Sequence, residues 1–168
     1  SEMMNASQIQ NDDLPTCIAR LASVIESDSF STGDRAALRR MPLNKAPPLA
    51  FHRLALRNLP ENWERNQSDW MTLVAGIAIM TPNAFRPGQG LGEALGNAGY
   101  SEARLERLLA ADGETRRTLL LRAARFLASK GIAFNWADAA YLLLTQDQQK
   151  QEQTNLRIAR GFFFSLDN

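Results

Sequence analysis

The only histidine of the chain, His52, is the residue on which a conventional acid–base or nucleophilic site would depend. Such sites set a histidine between a nucleophile and an orienting carboxylate, and Cys17 is the one cysteine that could join it as nucleophile or zinc ligand. His52 directly follows Phe51, which we expect to face the core of an amphipathic helix. A lone histidine there is typical of a structural or surface residue. A small hydrolase that uses His52 is therefore the least favoured of the three functions considered for this chain.

Carboxylates form no catalytic pattern. The chain has no DxD or ExxH motif and no close acidic pair in an apolar setting, so the ligands that two-metal hydrolysis requires are missing. Asp12 and Asp13 are adjacent, but we place them at the start of a helix, where acids interact favourably with the helix dipole. We therefore predict no metal site, no cofactor and no enzyme activity.

Four glycines near the middle of the chain raise the question of a nucleotide-binding loop. The order of segments is similar to the strand, loop and helix of such a site: an apolar run at 73–80 is followed by a glycine-rich segment and then by a predicted helix. The spacing matches neither GxGxxG nor GxxxxGK[ST]. We predict instead that Gly88 and Gly90 give a loop its freedom and that Gly92 and Gly96 let helices pack closely.

Arginine is the remaining candidate for function. Sixteen of the 19 basic residues are arginine, whose planar guanidinium suits bidentate contact with phosphate, although a GC-rich genome also explains the bias. The net charge is only +1, yet residues 1–30 carry five acids against one base and residues 33–65 carry seven bases against three acids. A nearly neutral protein can therefore present a basic face.

The arginines fall in pairs on predicted helices. A helix starting at Glu114 places two of them opposite an apolar stripe. Such pairs can grip successive phosphates without reading bases, or they can form a solvated face with salt bridges to glutamate. The pairs are Arg39 with Arg40, Arg53 with Arg57, and Arg122 with Arg125.

Helical periodicity dominates the elements that carry these residues. No alternating strand pattern lasts more than a few residues, so we predict an all-α fold, a compact bundle of about eight to nine helices. Helix stops are predicted at Gly99 and Gly131, and the apolar helix ending at Met80 is predicted to be central and buried. The predicted helices are 13–27, a segment capped by Ser31, Thr32 or Asp34 and ending at Arg40, a segment beginning at Pro47 and Pro48, a segment from a cap at Ser68 to Met80, and 89–98, 101–110, 114–129, 135–147 and 150–166.

A length of 168 residues fits a single helical domain, residues 1–168, or two small helical halves that share a core. The loop 81–90, with two prolines and two glycines, is the predicted half-boundary or hinge. Residues 1–4, in which Ser1 and Glu2 precede two methionines, are interpreted as partly a cloning remnant. No signal-peptide pattern and no apolar run near the ~20 residues of a membrane span occurs. With a single cysteine, we expect a cytoplasmic protein without membrane contact.

The segment GQGLGEALGNAGYSEARLERLLAAD at 88–112 resembles the CasB family, the small subunit of the type I-E CRISPR Cascade complex. GDRAALRRM at 33–41 is similar to that family's early arginine-bearing helix, and Phe51 with Arg53 to its next aromatic-plus-basic position. LRAARFL at 121–127 and FNWADAAYLL at 134–143 resemble its basic helix and the apolar helix that follows. The likeness covers roughly residues 14–164.

The resemblance implies a non-enzymatic subunit present as two copies in an RNA-guided surveillance complex. Its partners would be the backbone, large and crRNA-processing subunits of Cascade, a second copy of itself, and crRNA and target DNA, notably the displaced non-target strand. It would bind the nucleic-acid backbone and stabilise the R-loop. The alternative is a helical adaptor that binds only protein. The nucleic-acid-binding residues that the resemblance implies are Arg39, Arg40, Arg53, Arg122 and Arg125.

Overall fold

The computed structural model describes the backbone of residues 6–167 and the side chains of residues 14–167. Within that part of the chain the fold consists of nine α-helices and one short 3-10 helix, with no strand beyond an isolated parallel bridge between Phe85 and Phe134. The all-α prediction is confirmed, while residues 1–4 lie outside the described residues. The helices are α1 (Ala6–Glu26), α2 (Thr32–Arg39), α3 (Leu49–Asn58), the 3-10 helix (Trp63–Asn66), α4 (Gln67–Met80), α5 (Leu91–Ala98), α6 (Glu102–Ala110), α7 (Gly113–Lys130), α8 (Ala137–Leu144) and α9 (Gln148–Leu166).

Helix α4 is the centre of the fold, as predicted. From Trp70 onward nearly all its side chains are apolar and buried, so it packs against α1, α2, α7 and α8 on different sides. Buried side chains from all nine helices join one hydrophobic cluster. The polar faces of the outer helices remain for other contacts.

Helices α5 and α9 form the most extensive helix pair. A Cβ atom at Gly92 would overlap the backbone carbonyl of Ile158, and one at Gly96 would overlap the Ser165 hydroxyl. The predicted close packing at these two glycines is therefore confirmed. Gly99 and Gly131 end α5 and α7 with positive φ angles of 84° and 67°, which confirms both predicted stops.

The loop 81–90 is tied to the segment before α8. The Arg86 amide donates to the Phe134 carbonyl over 3.0 Å, and the Asn135 amide donates to the Gln89 carbonyl over 2.7 Å. The indole of Trp136, fully buried, donates to the Ala84 carbonyl over 3.1 Å. These bonds fix the loop on the C-terminal helices; the half-boundary there stays a prediction.

Several helix boundaries differ from those predicted. Helix α1 begins at Ala6, so Asp12 and Asp13 do not stand at a helix start; the apolar periodicity beginning at Leu14 gave no sign of the preceding polar turns. A 3-10 helix precedes α4, and its Trp63 is buried against Phe51 with ring centroids 5.6 Å apart. Helix α4 begins at Gln67, one residue before the predicted cap at Ser68.

Helix α8 stops at Leu144 rather than at 147. The side chain of Asp147 accepts a hydrogen bond from the Lys150 amide over 3.0 Å. It thereby caps α9, which begins earlier than predicted, at Gln148.

Candidate nucleic-acid interface

Helix α6 separates its charges onto two flanks. Leu105 and Leu108 are buried, and the Ser101 side chain caps the helix by accepting from the Arg104 amide over 3.2 Å. Glu102 and Glu106 lie on the flank toward Phe163 of α9. The two arginines of the helix project on the other flank, toward α7.

A groove of about 300 Å³ lies where this basic flank meets α7. The Arg104 guanidinium stands over two aromatic rings, 5.7 Å from the centroid of Tyr100 and 5.9 Å from that of Phe126. These cation–π contacts restrict its orientation. We call this site the basic groove; its lining residues are Tyr100, Arg104, Arg107, Leu119 and Arg122.

The basic groove is electrostatically positive. Burial raises the pKa of the Tyr100 phenol above its usual value, while the charges of Arg104, Arg107 and Arg122 act in the opposite direction, which places three cations around one phenol. Among the side chains of residues 14–167, none of these arginines forms an ion pair with a carboxylate. The groove can therefore accept an anion without first breaking an ion pair.

The five predicted arginines fall into three places. Arg122 lines the basic groove, and Arg125 is exposed on α7 one turn further on. Arg39 donates from Nε to the Ala78 carbonyl over 2.7 Å and from a terminal nitrogen to the Thr81 carbonyl over 3.3 Å, while its neighbour Arg40 is exposed. Arg53 forms a 2.6 Å ion pair with Asp34.

Sequence reasoning missed three residues of the groove: Tyr100, Arg104 and Arg107. The signal for the two arginines was present, because their spacing of three residues, interleaved with Leu105 and Leu108, puts them on one solvent flank. The phenol could not be found this way, since it comes from the connection between α5 and α6 and meets the arginines only in the folded chain.

The start of α7 carries two further arginines whose side chains bind groups of the protein itself. Arg117 donates to Asp69 of α4 over 3.1 Å, and both side chains are largely buried. Arg116 donates to the Leu142 carbonyl over 3.1 Å, and burial lowers its pKa from the ordinary value. The basic groove thus begins beyond this turn.

His52 is half-buried and Cys17 is buried. The His52 ring meets that of Phe51 edge-on, with centroids 6.1 Å apart, and the buried Cys17 thiol donates to the Asn58 carbonyl over 3.5 Å. Among the described side chains, no three histidine, cysteine or carboxylate groups are placed to hold a metal ion. Over the same part of the chain, no helix combines the length and apolar character that crossing a bilayer requires.

The sequence was compared with known proteins and protein families. No curated protein matches the chain. The family model described as CRISPR-associated protein Cse2 matches residues 34–163, which include α3 to α8 and most of α2 and α9. The chain therefore belongs to the Cse2 family, or CasB, the small subunits of the type I-E CRISPR Cascade complex.

Proposed function

We propose that this Cascade subunit holds the backbone of nucleic acid in the basic groove, and that Arg122 and Arg125 are central to that contact. The observation that carries the proposal is the convergence of Arg104, Arg107 and Arg122 on one pocket without carboxylate partners among the described side chains. Guanidinium groups bind phosphate oxygens through strong charge-assisted hydrogen bonds. The role we propose is therefore binding of nucleic acid.

The groove suits phosphate contact better than base stacking. Its aromatic floor, Tyr100, is only 7% exposed, and Arg104 already covers that ring. A base therefore has no open aromatic face on which to stack. Because two rings hold Arg104 in place, binding costs it less conformational freedom than it would cost an unrestrained arginine.

The strand that benefits most from such a groove is the displaced non-target DNA strand. Exchange of a DNA duplex for an RNA–DNA heteroduplex is nearly balanced in free energy. A subunit that holds the displaced strand through its phosphates stabilises the R-loop and opposes reclosure. Sequence is then read by guide pairing, and the subunit contributes affinity without specificity. The crRNA and the target strand offer the same phosphate chemistry and are further contacts, in a cytoplasmic complex.

Protein docking alone is the second candidate, and exposed apolar side chains favour it. Leu49 and Leu56, each 76% exposed, lie seven residues apart on α3, and α9 exposes Phe163 and Phe164. Two apolar surfaces suit contact with other Cascade subunits, including a second copy of this chain. Such an adaptor would use its arginines for salt bridges with those partners.

Simultaneous substitution Arg122→Ala and Arg125→Ala separates the two functions. The assembled complex should form normally but release the displaced strand and lose target DNA faster. A matched control is Arg65→Ala with Arg160→Ala, which removes the same charge from exposed positions on the 3-10 helix and α9. Equal retention of target DNA by the two double variants would overturn the groove as the binding site, and loss of assembly in the first alone would favour the adaptor.

A further inference from the structure

A second groove lies between α1, α2 and α3, apart from the basic groove. It has a volume of about 460 Å³ and combines serine hydroxyls with two arginines and one carboxylate. We call it the hydroxyl groove; its polar lining includes Ser27, Ser29, Ser31, Asp34, Arg53 and Arg57. Ser31 also caps α2, its hydroxyl accepting from the Asp34 amide over 3.3 Å, and the function proposed above uses none of these residues.

The serine-bearing wall is held in place by another arginine. Arg35 donates from Nε to the Ile25 carbonyl and from a terminal nitrogen to the Ser27 carbonyl, each over 2.9 Å. Its guanidinium also stands 5.6 Å from the centroid of the Phe30 ring. Arg35 thereby anchors the backbone of the connection between α1 and α2, and within that connection the Ser27 and Ser29 hydroxyls lie 2.8 Å apart, within hydrogen-bond distance.

The two arginines of the hydroxyl groove differ in their partners. Arg53 is paired with Asp34 at 2.6 Å, although its side chain is 53% exposed. Arg57, one turn later on α3, is exposed and has no ion pair with any described carboxylate. An ion pair this open to water is weakly held. A phosphate, with several acceptor oxygens, can receive hydrogen bonds from both guanidinium groups at once.

We propose that the hydroxyl groove binds a phosphate of a nucleic-acid backbone, and that Asp34 is a resident competitor that this phosphate displaces from Arg53. The proposal rests on the proposed function, because it assumes that the subunit meets nucleic acid. Asp34 keeps the groove closer to neutral while it is empty. It thereby weakens binding at this groove and leaves the basic groove the stronger contact.

The test measures binding of a short fluorescent oligothymidine strand to the full chain at low salt. Asp34→Asn keeps the side-chain shape but removes the competing charge, so affinity should rise about threefold. Asp28→Asn removes the same charge from an exposed position of the same connection that does not line the groove, and it should change affinity less. In an Arg53→Gln background, Asp34→Asn should give no gain. Thermal melting of each variant reports whether it is folded.

Three results would overturn the proposal: no gain from Asp34→Asn in a folded protein, an equal gain from Asp28→Asn, or a gain that persists with Arg53→Gln. If Asp34→Asn fails to unfold cooperatively, Asp34→Ser takes its place under the same criteria. The same assay on the Arg122→Ala, Arg125→Ala chain keeps the two proposals apart. Weaker binding there, with no gain from Asp34→Asn, refutes the hydroxyl groove and leaves the basic groove standing.

Discussion

Adjacent arginines at the end of α2 have different surroundings despite identical chemistry. Arg39 donates to two carbonyls at the C-terminal end of α4, where carbonyl groups lack partners within the helix. Both side chains are exposed, but Arg40 makes no side-chain hydrogen bond to a described residue. The sequence places both on a basic helix end, but only the folded chain shows that one of them caps another helix.

Arg39→Ala should therefore lower the free energy of unfolding by about 1–2 kcal/mol, because it removes charged donors from the carbonyl groups at the end of α4. Arg40→Ala should stay within about 0.5 kcal/mol of the wild type, as expected of an exposed side chain. Urea denaturation followed by circular dichroism measures both. Equal effects of the two substitutions would contradict the structural role assigned to Arg39.

Helix α5 depends on the absence of a side chain where it crosses α9. A Cβ at Gly92 would overlap backbone atoms of Ile158 and Phe162, which cannot turn aside as a side-chain tip can. Gly92→Ala should therefore force the two helices apart and destabilise the fold by about 3 kcal/mol. Gly88→Ala is the control, because a Cβ there meets no atom within 4 Å.

Thermal or urea unfolding of the two glycine variants gives the comparison. Gly88→Ala should leave stability nearly unchanged, since it lies in a loop with open space around it. A Gly92→Ala protein as stable as the wild type would show that α5 and α9 are not packed as closely as described.

The buried pair between α4 and α7 makes a prediction about pH. Burial, the largest cause, raises the pKa of Asp69 above its unperturbed value of 3.8, although Arg117 and Arg116 lower it in part. The folded state thus binds this proton more tightly than the unfolded state does. The contribution of Asp69 to stability consequently decreases as pH rises from about the unfolded value through the folded pKa.

Asp69→Asn removes that dependence. Between pH 4 and pH 7 its stability relative to the wild type should improve, because the wild type alone must ionise a buried carboxyl. Urea titrations across this range measure the difference. Arg117→Gln, which leaves Asp69 without its ion-pair partner, should become less stable relative to the wild type as pH rises. If the difference in unfolding free energy between Asp69→Asn and the wild type does not change with pH, the effects of burial and ion pairing on the pKa of Asp69 cancel.

Local patterns predict the elements far better than their junctions. Apolar spacing was sufficient to predict α4 as a buried centre, and glycine spacing was sufficient to predict the α5–α9 contact. The burial of Trp63 depends on Phe51, which lies twelve residues earlier in the chain. The cap at Asp147 depends on whether that residue extends α8 or begins α9. Tyr100 meets its arginines through the same kind of long-range contact, so the sequence predicted only one of the three groove arginines, Arg122, and neither the other two nor the phenol beneath them.

The whole molecule has a formal charge of only +1, yet acidic and basic side chains lie on different parts of its surface. Acidic Glu102 and Glu106 lie toward α9, whereas the basic groove opens on the other flank of α6. Sorting of this kind lets one face attract phosphate while the remainder avoids nonspecific attraction. In the function we propose, this division separates a strand-holding face from faces that contact other Cascade subunits.

Salt dependence measures how many phosphates that face holds. Each phosphate neutralised on a single strand contributes about −0.7 to the slope of log affinity against log salt. If Arg104, Arg107, Arg122 and Arg125 each meet one phosphate, the isolated chain should bind oligothymidine with a slope near about −3. Arg122→Ala with Arg125→Ala should weaken the slope by about 1.4, whereas Arg65→Ala with Arg160→Ala should leave it unchanged. An adaptor that meets only protein would show no salt-dependent binding of oligothymidine in any of the three proteins, because its arginines would release no counterions from DNA.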